Sequence, residues 1–287
     1  MIRRSIYIVF AVLACAFSLN VHAQSPKWKR WAVEADTLYN QQKYKEAAVI
    51  FTRIINANRL KNGKFEDRSV YGILYKRAVC YYNTQEFKKA LADIDLFAPA
   101  YPSASQPKLL KAFIYREMDD VDNQLINLTE AMELQDPNPD FLKWRGILYV
   151  QQNKYPLAIA DLLQSRTFQD DTEIESYLGL CYFYLERRDS AFISFNKAIE
   201  LDPTFLAPYL YASSAALQDD DYGLSVEYAN LALLIDGKSN EALFYKGVAL
   251  IESKRVDEGC RCLNRAFYAG YDDAADYISE YCFGVEN

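Results

Sequence analysis

The chain has 287 residues, 51% hydrophobic and 25% charged, with a formal net charge of −7 and a pI near 5.0. That apolar share supports a sizeable core and excludes a disordered tail, and the acidic balance speaks against nucleic acid, which needs a concentrated basic surface. With 10 Gly and 9 Pro beside 23 Tyr and 16 Phe, the composition suits packed helices better than a many-turned β-fold.

Residues 1–23 read as a secretory signal peptide that is cleaved. Arg3 and Arg4 give a positive start, Ile6 to Phe17 an apolar run, and Val21, His22 and Ala23 a small-residue cleavage pattern before Gln24. The run is too short and wrongly flanked for a transmembrane span. The alternative is cleavage before Cys15, leaving a lipoprotein anchored there, because Val12, Leu13, Ala14 and Cys15 half-match a bacterial lipobox. Leu13 is bulky for that pattern and the apolar run continues past Cys15, so export to the periplasm or cell envelope is favoured. Removal of the signal takes His22, the only histidine, and with it the commonest general base and metal ligand. No catalytic residue, metal or cofactor is expected. Five cysteines stay behind: Cys80, Cys181, Cys260, Cys262 and Cys282.

From there the chain repeats itself. Small residues recur at Ala35, Ala78, Ala112, Gly146, Gly179, Ser213 and Gly247, at intervals of 43, 34, 34, 33, 34 and 34 residues. Three residues after each stand Leu38, Tyr81, Tyr115, Tyr149, Tyr182, Ala216 and Leu250. Twelve after it stand Ala47, Ala90, Gln124, Ala158, Ala191, Ser225 and Gly259. Four further on come Phe51, Ile94, Leu128, Leu162, Phe195, Ala229 and Leu263.

These columns resemble the tetratricopeptide repeat, and the fifth unit does so most clearly, with Leu178, Gly179, Tyr182, Ala191, Phe195, Ala198 and a closing Pro203. The resemblance covers about residues 28–271. It implies an all-α fold, a right-handed α-solenoid of about seven helix pairs. Residues 24–271 form the solenoid, with a longer loop at 60–70 holding the nine extra residues. Residues 272–287 form a C-terminal capping helix and tail. The third unit departs from the pattern at Val121 and Gln124, and the sixth at Ala216, Ala229 and Gly237.

The resemblance also implies that the first helix of each unit faces a concave groove. Carried onto this chain, the groove positions are Tyr75, Val79, Tyr82, Leu109, Phe113, Ile147, Val150, Leu180, Phe183, Leu210 and Phe244, with Leu217, Val248 and Ile251 alongside. That lining is apolar and as a whole suits a protein or peptide partner, while any one member taken alone reads first as core. Only Lys143, Arg116 and Asn83 stand near the positions where chaperone-binding relatives clamp a carboxylate, so such a clamp is not expected.

The Asp doublets and triplets at 119–120, 170–171, 219–221 and 272–273 read as helix caps. Cys80 and Cys181 read as buried thiols. A disulfide between Cys282 and either Cys260 or Cys262 would pin the cap. The function these residues imply is a non-catalytic interaction scaffold in a bacterial cell envelope. The alternative is a structural subunit of an outer-membrane secretion or assembly complex, with which the protein would associate peripherally.

Overall fold

A computed structural model of the protein describes residues 26–58, 65 and 69–282. The signal peptide, the Cys15 alternative, most of the 60–70 loop and the last five residues of the tail lie outside the described residues. Within the loop segment, Phe65 packs against Tyr71 with ring centroids 5.4 Å apart, and Ser69 already begins a helix.

The helices fall into two compact units divided between Pro137 and Asn138. The first unit holds three helix pairs: α1 (Pro26–Asn40) and α2 (Tyr44–Ala57), α3 (Ser69–Asn83) and α4 (Phe87–Phe97), α5 (Gln106–Glu117) and α6 (Val121–Met132). A short 3-10 turn at Ala98–Ala100 follows α4. The second unit holds four pairs: α7 (Pro139–Gln151) and α8 (Tyr155–Arg166), α9 (Thr172–Tyr184) and α10 (Arg188–Leu201), α11 (Ala207–Gln218) and α12 (Tyr222–Ile235), α13 (Asn240–Glu252) and α14 (Val256–Tyr268). A single helix, α15 (Ala274–Tyr281), closes it. The described residues are thus all-α, in the expected paired repeats.

One contact builds each pair. An ideal Cβ on Gly179 would lie 2.5 Å from the ring of Phe195, sixteen residues on, and 3.1 Å from the Ala191 carbonyl oxygen. The same offset brings Leu162 to 2.8 Å from a Cβ on Gly146, and Leu263 to 2.8 Å from one on Gly247. The small column therefore exists because the large side chain of the second helix lies directly on the first helix's backbone. The sixth pair lacks a large residue there and solves the contact differently. Ser213 donates its hydroxyl to the Ser225 carbonyl at 2.9 Å, with both serines fully buried, so polar closure replaces bulk.

The turn inside each pair is also repeated. Gln42, Gln85, Asp119, Asn153, Glu186, Asp220 and Lys254 all take φ between 55° and 66°, each seven residues after its small residue. In every case the next N–H donates back five residues, as from Lys154 to the Tyr149 carbonyl at 2.8 Å and from Arg187 to that of Tyr182 at 2.9 Å. This left-handed cap closes the first helix and reverses the chain within three residues. Between pairs, side-chain caps start the next helix: Asn138 accepts from Asp140 and Phe141 N–H groups, and Asp171 from those of Glu173 and Ile174.

Two buried ion pairs recur at equivalent places. Arg77 grips Asp93 through Nε and Nη2 at 2.7 and 2.6 Å, and Arg145 grips Asp161 at 2.7 and 2.8 Å. Each bidentate pair ties a first helix to its second. Burial pushes the Asp93 carboxyl up, and the bound Arg77 guanidinium opposes that shift.

Gly179→Ala should lower the unfolding free energy by about 1–3 kcal/mol, since neither the Phe195 ring nor the α10 backbone can retreat freely. Gly72→Ala, where nothing lies within 4 Å of an added Cβ, should gain up to about 1 kcal/mol. Denaturant midpoints of both variants check the pair of signs, and a null effect at Gly179 would refute the close-contact account.

Candidate partner-binding face

Seven of the residues assigned to the groove, Tyr75, Val79, Tyr82, Leu109, Phe113, Val150 and Leu210, are buried. Ile147, Leu180, Phe183 and Phe244 are half-buried, as is Leu217, whereas Val248 and Ile251 are buried. Packing explains much of this. Tyr75 lies against Phe97 with centroids 5.3 Å apart, Val150 joins the cluster of Leu162 and Ile174, and Leu210 joins Ala232 and Ala242. Phe244 sits among Tyr245, Tyr271 and Tyr277, at 5.7, 5.1 and 5.8 Å, so the closing segment partly covers it.

The more open stripe of the first helices in the second unit keeps Leu180 and Val248 from the assigned positions and otherwise runs one position further along the chain. On α9 it is Glu173, Tyr177, Leu180 and Tyr184; on α11 it is Ala207, Tyr211, Ser214 and Gln218; on α13 it is Glu241, Tyr245, Val248 and Glu252. The spacing of four, three and four residues puts each set on one helical face. Of these twelve only Val248 is buried. The residues one step earlier turn toward the neighbouring helix instead, and this one-step difference separates core from surface.

The reading from sequence passed over three residues here, Tyr177, Tyr211 and Tyr245, although a signal for them exists. They recur at the 34-residue interval, always two before the small residue, with Trp144 in the same slot of the preceding pair. Their rings interleave between consecutive first helices: Tyr177 and Tyr211 have centroids 6.3 Å apart, and the Tyr245 hydroxyl meets the side chain of Ser214. Burial, followed by the neighbouring Tyr177, Glu241 and Glu173, raises the Tyr211 hydroxyl well above the usual phenol range. Burial, followed by Tyr245, Asp273 and Glu241, pushes Tyr271 up to about 12. These phenols are neutral at physiological pH and act as hydrogen-bonding, aromatic surface.

The first unit presents a different stripe. Asp36 on α1 and Lys76 on α3 pair at 2.7 Å, flanked by the exposed Asn40 and Asn83. The three residues considered for a carboxylate clamp are engaged elsewhere. Lys143 bridges Asp171 and Glu173 at 3.0 and 3.2 Å, Arg116 lies 5.1 Å over the Phe113 ring, and Asn83 donates to the Val79 carbonyl.

Cys260 and Cys282 form a disulfide with Cα atoms 5.6 Å apart, which joins α14 to the end of α15, while Cys262 is free and half-buried. Burial pushes the Cys80 and Cys181 thiols up to about 12, so neither supplies a thiolate nucleophile near neutral pH. Of the acidic clusters, Asp120, Asp171 and Asp221 accept cap hydrogen bonds from the N–H groups of Asn123, Glu173 and Leu224 respectively, while Asp273 makes no side-chain cap. Asp170 instead pairs with Lys197 at 2.9 Å. Among the described residues no group of three or more His, Cys, Asp or Glu is placed to hold a metal, and no helix is long and apolar enough to cross a membrane.

A tetratricopeptide-repeat family model matches residues 178–205, the α9–α10 pair whose Gly179–Phe195 contact is closest. The fold is that of a tetratricopeptide-repeat protein. It is similar to the C-terminal part of a tetratricopeptide-repeat protein from Cytophaga hutchinsonii, with TM-score 0.62, 22% identity, and 85% of this chain and 97% of that one covered. A tetratricopeptide-repeat protein from Parabacteroides merdae is similar at TM-score 0.60, 12% identity, and 90% and 98% coverage. PilF of Pseudomonas aeruginosa follows at 0.54, 16%, and 74% and 97%. At these identities the likeness is one of fold. A comparison with curated proteins finds no match. Tetratricopeptide repeats are protein-interaction scaffolds and are generally non-catalytic.

Cys282→Ser should destabilise the chain by about 3 kcal/mol under oxidising conditions, because the bond closes a loop with a sequence separation of 22. Adding reductant to the wild type should reproduce the shift in melting temperature. Identical melting of oxidised and reduced protein would show that the bond contributes nothing.

Proposed function

We propose that the chain is a non-catalytic scaffold that holds a peptide or helix of a partner protein along the first helices of its repeats, in a bacterial cell envelope. The observation that carries this reading is the stripe on α9, α11 and α13, where tyrosines at a constant interval stay half-buried on a framework held by backbone-close contacts. Large aromatic side chains with fixed rotamers bury area at small entropic cost, which is the property an interface needs. Export rests on Arg3, Arg4 and the apolar run before Gln24. Peptide capture by a row of parallel elements follows the general mode in which regularly spaced side chains read a bound segment.

The assembly-subunit reading has its own support. Phe168 in the turn just after α8, Leu234 near the end of α12 and Tyr268 at the end of α14 expose 55%, 83% and 77% of their surface, all at or just past the far ends of second helices. Large apolar side chains in water mark a surface that another protein covers.

The two readings separate in a pull-down from envelope extract. Wild type, a Tyr184→Ser, Leu180→Ser double variant and a Leu234→Ser, Tyr268→Ser double variant serve as baits of equal helicity. Loss of the partner with the first variant alone supports the first-helix face. Loss with the second alone replaces it by the assembly subunit.

A further inference from the structure

The open stripe of the second unit has a charge as well as a shape. Neither α9 nor α11 contains a single Lys or Arg, and neither does α15. On α13 the one basic residue, Lys246, acts on Glu258 and Cys262 of α14. The carboxylates lie on the tyrosine side. Glu173 acts on the hydroxyls of Tyr177 and Tyr211, while Glu241 acts on those of Tyr211, Tyr245 and Tyr271, which sets it at the middle of the row. Asp273 reaches Tyr245 and Tyr271. Glu173 already has Lys143 as a partner at 3.2 Å, whereas among the described residues Glu241 and Asp273 form no ion pair and both are exposed.

Neutral phenol rings beside carboxylates that lack a cationic partner make one kind of binding surface. The ring faces attract a cation through their quadrupole, the carboxylates accept its N–H groups, and the apolar stems of Lys or Arg cover the rings. An anionic segment would meet Glu241 and Asp273, which among the described residues form no ion pair, so charge decides the partner's sign.

We infer that the stripe of Tyr177, Tyr211, Tyr245 and Tyr271, with Glu241 and Asp273 at its margin, docks a positively charged segment of another protein carrying arginine or lysine. This inference rests on the scaffold reading above and names the chemistry of its partner. The arginine or lysine head sits between Glu241 and the tyrosine rings, and the rest of the segment crosses α9, α11 and α13.

A phage-displayed library of random peptides of about twelve residues, selected on the purified protein, tests this, with affinities of the selected peptides read by fluorescence anisotropy. Arginine and lysine should appear at about twice their library frequency or more, and Glu241→Lys with Asp273→Lys should weaken binding about tenfold or more. Asp257→Lys, a single charge reversal at an exposed site on α14, should leave affinity within about twofold, because screening removes distant charges. Peptides without basic enrichment that still lose affinity for Tyr184→Ser would overturn the cationic partner and leave the scaffold reading standing. Basic peptides bound equally well by the Glu241→Lys, Asp273→Lys protein would overturn the assigned site. A library yielding no binder, or only binders indifferent to every variant on this face, would overturn both.

Discussion

The contact between a small residue on one helix and a large one sixteen positions later sets the terms for everything else in this chain. Where Phe195 lies on Gly179, or Leu263 on Gly247, the two helices approach until side chain meets backbone, and no methyl group fits between them. That proximity lets a three-residue turn join them, and the turn in turn demands a left-handed residue at the same place in each pair. The pairs then stack because none can bury its apolar face alone. Helix spacing, turn geometry and the direction of each first helix follow from this one steric requirement.

Function follows from the same requirement through rotation. A first helix held this closely by its partner has little freedom to turn about its axis, so each residue's exposure depends on its step from the small column. Positions three before and four after it pack against neighbours. Positions two before form a half-buried stripe, joined one after the small residue by the half-buried Leu180 and Ser214, and the residue five after lies at its more open end. Because the interval is constant through α9, α11 and α13, tyrosines in one slot line up as rings from successive helices, with acidic residues from the first turns of α9 and α13 beside them. Surface chemistry is thus arrayed by the core, and a partner meets a row of side chains whose spacing is set by packing behind it.

Most of the fold could be read from the chain. The small and large columns carry it because a close contact admits few residue types, and seven repetitions make even the degenerate sixth unit recognisable. The Asp clusters could be read as caps for a similar reason, since Asp120, Asp171 and Asp221 act through geometry local to the sequence. The face was less legible. A shift of one residue around a helix separates Leu210, which is buried, from Tyr211, which is not, and apolar character alone ranks leucine the better core and groove residue alike. The Arg77–Asp93 and Arg145–Asp161 pairs escaped because charged residues read as surface until their partner is seen beside them. The choice between Cys260 and Cys262 was likewise undecidable by spacing: both lie on α14, and the direction each thiol points, not its distance along the chain, selects Cys260.

A stack of helices has ends, and an end helix has neighbours on one side only, so repeat arrays fray there first. At the close of the second unit, α15 lays Ile278 and Tyr277 over the cluster around Leu243 and Leu263, and the bond from Cys282 to Cys260 fastens it. Peeling α15 away by itself would leave it tethered beside the face it had just vacated, at a high local concentration that favours its return. Amide protection on α13, α14 and α15 should therefore rise and fall together in an oxidising compartment, and the terminus becomes the part of this unit least prone to unzip. While the bond holds, the apolar face around Leu243 and Leu263 stays covered by α15.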